Sequence, residues 1–179
     1  MENANALLWE VSWWEFLLVT VILAGGGVVH AGAHRELIEL VEKTRIPVVT
    51  TLLGLGGFPS DHELWFGMPG MHGTYAANKA LQNCDLLISI GARFDDRVTG
   101  DLNTYAKQAK VIHFDIDRAE IDKNVKTTVK VLGDVKRTLP MVTELMNENS
   151  HVQWVESFKK YDKKEYECII ESELYSTQG

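Results

Sequence analysis

The chain has 179 residues, 45% of them apolar and 24% charged, which is the composition of one ordinary globular domain long enough to bury a core. A net charge of −7 excludes the basic footprint of a nucleic-acid binder. Two cysteines, Cys84 and Cys168, make no disulfide framework and suit a reduced, intracellular protein, with Cys84 expected in the core at a helix end.

Residues 1–20 are atypical. They carry Trp9, Trp13 and Trp14, three of the five tryptophans, and no basic residue. The apolar run Phe16 to Val29 is 14 residues long, short of the roughly 20 a spanning helix needs. The first basic residue is Arg35, so a secretory n-region is missing too. The run is better read as a buried first strand, Leu17 to Leu23, closed by Gly25-Gly26-Gly27.

From there strands and helices alternate. Leu37, Leu40 and Val41 recur at helical spacing to about Lys43, and Pro47 to Thr51 reads as strand two. A long glycine- and proline-rich loop, Gly54 to Gly73, invites a functional reading. Thr74 to Asn83 is a helix, Leu86 to Ile90 strand three, Lys110 to Asp115 strand four and Thr128 to Leu132 strand five. The helix from Asp134 to about Asn147 points Leu139, Val142, Leu145 and Met146 inward. After His151 the period stays helical, with Val152, Val155 and Phe158 on one side. Lys159, Lys160, Lys163 and Lys164 have acidic neighbours and form a solvated face. The divisions are 1–20, an N-terminal segment; 21–148, the domain; and 149–179, a helical tail or linker. The fold class is α/β, a Rossmann-like doubly wound parallel sheet of about six strands.

In such sheets ligands bind beyond the carboxyl ends of the strands. The loop there after strand three, Gly91 to Gly100, packs two arginines, two aspartates and two glycines into ten positions. It is either an ion-paired surface loop or a phosphate grip, for which arginine's planar fork is suited. Gly25-Gly26-Gly27 is either a tight turn or an anion-binding turn. It is not the nicotinamide fingerprint, because His30 stands where the third glycine belongs and strand two ends in Thr50-Thr51 rather than an acid. Asp115, 24 residues beyond Gly91, sits where dinucleotide folds place a ribose acceptor. Asp117 reads as the cap of a short helix holding Glu120, and Asp134 as a helix cap or an adenine-end ligand. Gly67 to Gly73 offers methionines and bare amides to a flat ligand, or merely fills core. His30 and His34 are four apart but lack a third ligand, so no metal site is expected.

Four stretches together closely resemble acetohydroxyacid synthase, the acetolactate synthase family. They are Thr50-Thr51-Leu52-Leu53-Gly54, Gly67-Met68-Pro69-Gly70-Met71-His72-Gly73-Thr74, the arginine loop, and His113-Phe114-Asp115-Ile116-Asp117. The match runs from about Val21 to about Leu145 and corresponds to the central domain of three. The resemblance implies a thiamine-diphosphate transferase of branched-chain amino-acid biosynthesis, which decarboxylates pyruvate and joins the two-carbon unit to a second 2-keto acid. It implies FAD in this domain, structural rather than redox-active. Gly25, Gly26 and Gly27 would lie along the dinucleotide, and Gly91 and Ala92 would allow close approach. Arg93, Asp95, Arg97 and Val98 would contact FAD; Asp96 and Arg97 would border the substrate channel. Thr51, Leu52, Met71, His72 and Gly73 would lie by the flavin. Asp115, Ile116, Glu120 and Asp134 would serve the adenosine half.

The acid that activates thiamine and the motif that binds magnesium and diphosphate belong to flanking domains, and neither is found here. The chain alone is therefore expected to be inactive, with no catalytic residue of its own. Its expected partners are those thiamine-binding domains or a second catalytic subunit, and a regulatory subunit, with no nucleic acid or membrane. Its expected location is cytoplasmic, or stromal in a plant, and not secreted. Two other readings stay open: a stand-alone NAD- or ADP-binding module, and a non-catalytic fragment acting through its interfaces.

Overall fold

A computed structural model describes residues 19–102 and 104–176, with side chains to 167. The expectations placed on residues 1–18, and on the side chain of Cys168, fall outside it. In chain order the elements are β1 (Thr20–Ala24), α1 (Gly26–Ala31), α2 (His34–Thr44), β2 (Val48–Thr50), a 3₁₀ turn (Leu52–Gly54), α3 (Tyr75–Asn83) and β3 (Leu86–Ile90). Then come α4 (Asp96–Thr99), β4 (Lys110–Asp115), β5 (Val129–Leu132), α5 (Val135–Leu145) and α6 (Val152–Ser176).

The five strands form one parallel sheet in the order β2-β1-β3-β4-β5. About six were expected. The stretch beside β2 explains the margin, since Trp65 makes a parallel bridge to Val48 and Trp65 Nε1 donates to Thr50 Oγ1 at 3.0 Å. Every residue of β1 and β3 is buried, as a sheet covered on both faces requires. One helical group is α1 and α2 packed with α5; the other is α3 packed with α6.

Local signals explain most elements. Leu37, Leu40, Val41 and Thr44 share the buried stripe of α2. Thr74 caps α3 by accepting from the Ala77 amide at 3.2 Å. Ala76, Ala77, Ala80 and Leu81 are that helix's buried side, and Cys84 at its end is buried with its thiol pKa pushed up to about 12 by desolvation.

Three expectations need correction. Leu145 is 55% exposed, because the stripe of α5 runs through Leu139 and Val142 to Met146 at its end, all packed in or against the core, and leaves Leu145 off it. Around Glu120 the chain makes turns rather than a helix, with Asp117 Oδ1 accepting from Ala119 N at 2.8 Å. The glycine turn after β1 also leads straight into α1, one and a half turns of helix that periodicity did not show.

The helix after His151 is tied to the domain. Phe158 is fully buried, with its ring 4.9 Å from Phe66 and 4.0 Å from Trp154. Trp154 Nε1 donates to the Thr20 carbonyl at 3.0 Å, and Glu165 accepts from the Tyr75 amide at 2.7 Å. The four lysines are exposed, as expected.

Candidate functional site

A parallel sheet puts all its strand ends on one edge, and this gathers most of the candidate residues. Gly25 follows β1, Thr51 follows β2, Gly91 follows β3, Ile116 follows β4 and Asp134 stands two past β5. With this strand order the chain reverses direction between β1 and β3, the switch point at which doubly wound sheets leave a crevice.

At that switch point the loops meet backbone to backbone. Gly27 N donates to Gly91 O at 2.9 Å, and Gly25 N to Ile90 O at 2.9 Å. A Cβ on Gly25 would stand 2.3 Å from Gly91 O, and one on Gly27 2.7 Å from Gly91 Cα. Gly91 itself has φ +57, the left-handed region. Two of the three amides in the glycine run are therefore spent inside the protein, and Gly26, half-buried, is the one left. The run serves close packing first. On the β2 side, Thr51 N donates to Ala24 O at 2.9 Å, Thr51 Oγ1 accepts from Gly54 N at 3.2 Å, and a Cβ on Gly54 would stand 2.3 Å from Ala24 O. That turn leaves Leu52 and Leu53 about two-thirds exposed, at 65% and 64%.

The arginine loop is anchored from beneath by groups that sequence reading passed over. Ala92 is buried, and its carbonyl accepts from His113 Nε2 at 3.2 Å and from Ser89 Oγ at 3.3 Å. Asn124 Nδ2 donates to Phe94 O at 2.5 Å. His113 is fully buried, its ring 5.0 Å from Phe94, and its Nδ1 has no partner. Because a carbonyl only accepts, the proton sits on Nε2. Burial pushes the pKa of His113 down against the pull of Asp115, 3.7 Å away, the Ala92 carbonyl, Glu120 and Asp122. The one sequence cue was a histidine inside the apolar run of β4.

Above these anchors Arg93, Asp96 and Arg97 are exposed, and among the described residues none of them makes an ion pair. Asp95 Oδ1 is buried without a hydrogen-bond partner. Val98 is half-buried against the core.

The methionine loop meets the arginine loop at a cleft of about 390 Å³, lined on one side by Gly70, Met71 and Asn78 and on the other by residues 96–100. Met71 is 80% exposed, and His72 is exposed beside it. Gly73 has a local reason: its Cβ would fall 2.1 Å from Met68 O.

The acids divide. Asp115 is nearly buried, and its Oδ1 accepts from Asp117 N at 2.8 Å, so part of its capacity closes the turn. Glu120 pairs with Lys123 at 2.8 Å. Asp134 caps α5, accepting from Lys136 N at 2.9 Å, which takes up the first of its two readings. Ile116 is 73% exposed at the same edge. Among the described residues no group of three His, Cys, Asp or Glu could hold a metal, and no helix is long and apolar enough to cross a membrane.

A model of the thiamine pyrophosphate enzyme central domain matches residues 19–142. The chain belongs to this family. Relatives bear out the resemblance drawn from the four stretches. The probable acetolactate synthase large subunit of Methanocaldococcus jannaschii is 59% identical over 119 residues, 66% of this chain and 20% of that protein. The acetolactate synthase large subunit of Corynebacterium glutamicum is 57% identical over 124 residues, 69% of this chain and 20% of that protein. A probable large subunit from Methanococcus aeolicus is 46% identical over 155 residues, 80% of this chain and 26% of that protein. The chain thus spans about a fifth of the length of these curated relatives.

Proposed function

We propose that this chain is the FAD-binding central domain of an acetolactate synthase large subunit. The observation that carries the reading is the pair of exposed arginines, Arg93 and Arg97, which make no ion pair among the described residues and stand over a switch point where Gly25, Gly27 and Gly91 bring two loops into backbone contact. The residues fit a dinucleotide. Two free guanidinium groups suit a pyrophosphate, and the buried, unpaired Asp95 Oδ1 suits a ligand hydroxyl. The exposed Met71, His72 and Leu52, beside the buried Thr51, suit a flat ring, and Ile116 with Asp115 suits the adenosine half. FAD would supply a rigid tie between these loops rather than a redox step.

On this reading the synthase reaction, with thiamine diphosphate and magnesium, needs domains that flank this one or come from a second catalytic subunit, and a regulatory subunit is a further partner. Asp96 and Arg97, lining the cleft, would face the substrate channel. Two experiments test it. Titration with FAD, NAD and ADP should show FAD preferred; a preference for NAD or ADP would favour a stand-alone nucleotide module. A synthase assay with every cofactor supplied should show no turnover by this chain alone, and turnover above the blank would refute that part.

A further inference from the structure

The methionine loop owes its shape to one face of α3. Thr74 and Asn78 stand four residues apart, so they lie one above the other on that helix. Thr74 Oγ1 donates to Phe66 O at 2.8 Å, and Thr74 N donates to Met68 O at 2.9 Å. Asn78 takes both backbone groups of a single residue: its Oδ1 accepts from Gly70 N at 2.9 Å, and its Nδ2 donates to Gly70 O at 3.0 Å. A side-chain amide that pairs with both groups of one peptide residue acts as a strand partner would, and fixes orientation as well as position.

Gly70 is where this matters. Its φ is +105, so it turns the chain where other residues would strain, and a Cβ there would stand 2.4 Å from Arg97 O. The amide of Asn78 therefore presses the glycine flat against the backbone of the arginine loop. Met71 follows at once and lines the same cleft as Asn78, with His72 exposed beside it.

We propose that Asn78 is the positioning residue of this site: its paired hydrogen bonds to Gly70 set the spacing between the methionine wall and the Arg97 wall of the cleft. The inference rests on the reading that the cleft belongs to the FAD and substrate site, but its structural half stands without it. Removing the amide frees the Gly70 N–H and leaves its C=O with the single bond from Gly73 N at 3.0 Å, at a half-exposed place where water can replace what is lost. The cost should therefore appear in loop order and ligand affinity more than in global stability.

The test uses the full chain and the variants Asn78→Ala and Asn78→Asp, the latter keeping the acceptor for Gly70 N and losing the donor to Gly70 O. Amide hydrogen exchange is followed in residues 67–73 and in β1 and β3, with FAD affinity in parallel. In Asn78→Ala, exchange in 67–73 should accelerate by about tenfold, strand protection should hold, and FAD affinity should fall by about tenfold. Asn78→Asp should fall between that variant and the wild type. Unchanged exchange in 67–73, or wild-type FAD affinity in a variant whose loop has loosened, overturns the proposal. If the wild-type chain binds no FAD, the cofactor reading fails by itself, and the exchange result alone then decides for or against Asn78.

Discussion

The two sides of the candidate site are built on opposite principles. On the side of β1 and β2 the working feature is the missing side chain. Gly25, Gly27 and Gly54 let backbones touch where a single Cβ would sit 2.3 to 2.7 Å from another chain segment. On the side of β3 the working features are side chains that the fold hardly needs, Arg93, Asp96 and Arg97, raised into solvent above buried anchors. The first kind of residue is paid for in stability whenever it changes; the second should change binding and leave folding alone.

The largest effect should come from Gly25→Ala. Its methyl would collide with the Gly91 carbonyl and with Ala92, neither of which is a flexible side-chain end, so stability should drop by about 3 kcal/mol in a denaturant titration. A loss under about 0.5 kcal/mol would mean the two loops can part, and the contrast would fail.

Next comes His113, which belongs to the side-chain half but works from the core. His113→Ala removes a buried ring and the hydrogen bond to Ala92, and should cost about 2 kcal/mol. The same group makes stability depend on pH. Its pKa in the folded state lies below the ordinary 6.5 because burial opposes the charge, so the unfolded chain takes up the proton first. Its contribution is whole above pH 6.5 and is lost as pH falls toward the depressed folded value. His151, also lowered by burial, acts in the same direction. Unfolding measured from neutral to mildly acid pH should show stability falling, and His113→Asn should flatten that slope. A slope equal to that of the wild type would assign the effect elsewhere.

The smallest effect on folding should come from Arg93→Ala with Arg97→Ala. Both side chains are exposed and make no ion pair among the described residues, so stability should stay within about 0.5 kcal/mol of the parent. FAD affinity should nonetheless fall by at least about tenfold. A double variant that binds FAD normally would remove the arginines from the site.

The same contrast explains what the sequence could tell. β4 was legible to the residue because Val111 to Phe114 is apolar, interrupted only by His113, and bounded by Lys110 and Asp115. The edge on which candidates gather was legible because strand–helix alternation implies a parallel sheet, and a parallel sheet has one carboxyl edge. α1 was not legible: Gly-Gly-Val-Val-His-Ala is a poor helix former, and its six residues are held by the 3₁₀ turn and α5 against which they pack. The commitment of the Gly25 and Gly27 amides was hidden because their acceptors, Ile90 and Gly91, lie more than sixty residues away. Asn78 looked like any polar position on an amphipathic helix, and nothing local tells that its amide meets Gly70. Leu145 misled for the opposite reason: its spacing fitted a buried stripe that the packing of α5 does not extend to it.

The measurement that tests the central claim most directly is the absorption spectrum of the purified chain after incubation with FAD and desalting. The account predicts a flavin band that stays with the protein at the wild-type sequence and is lost in the Arg93→Ala, Arg97→Ala double variant. A folded chain that passes through the column colourless, with all of the FAD in the small-molecule fraction, would contradict it.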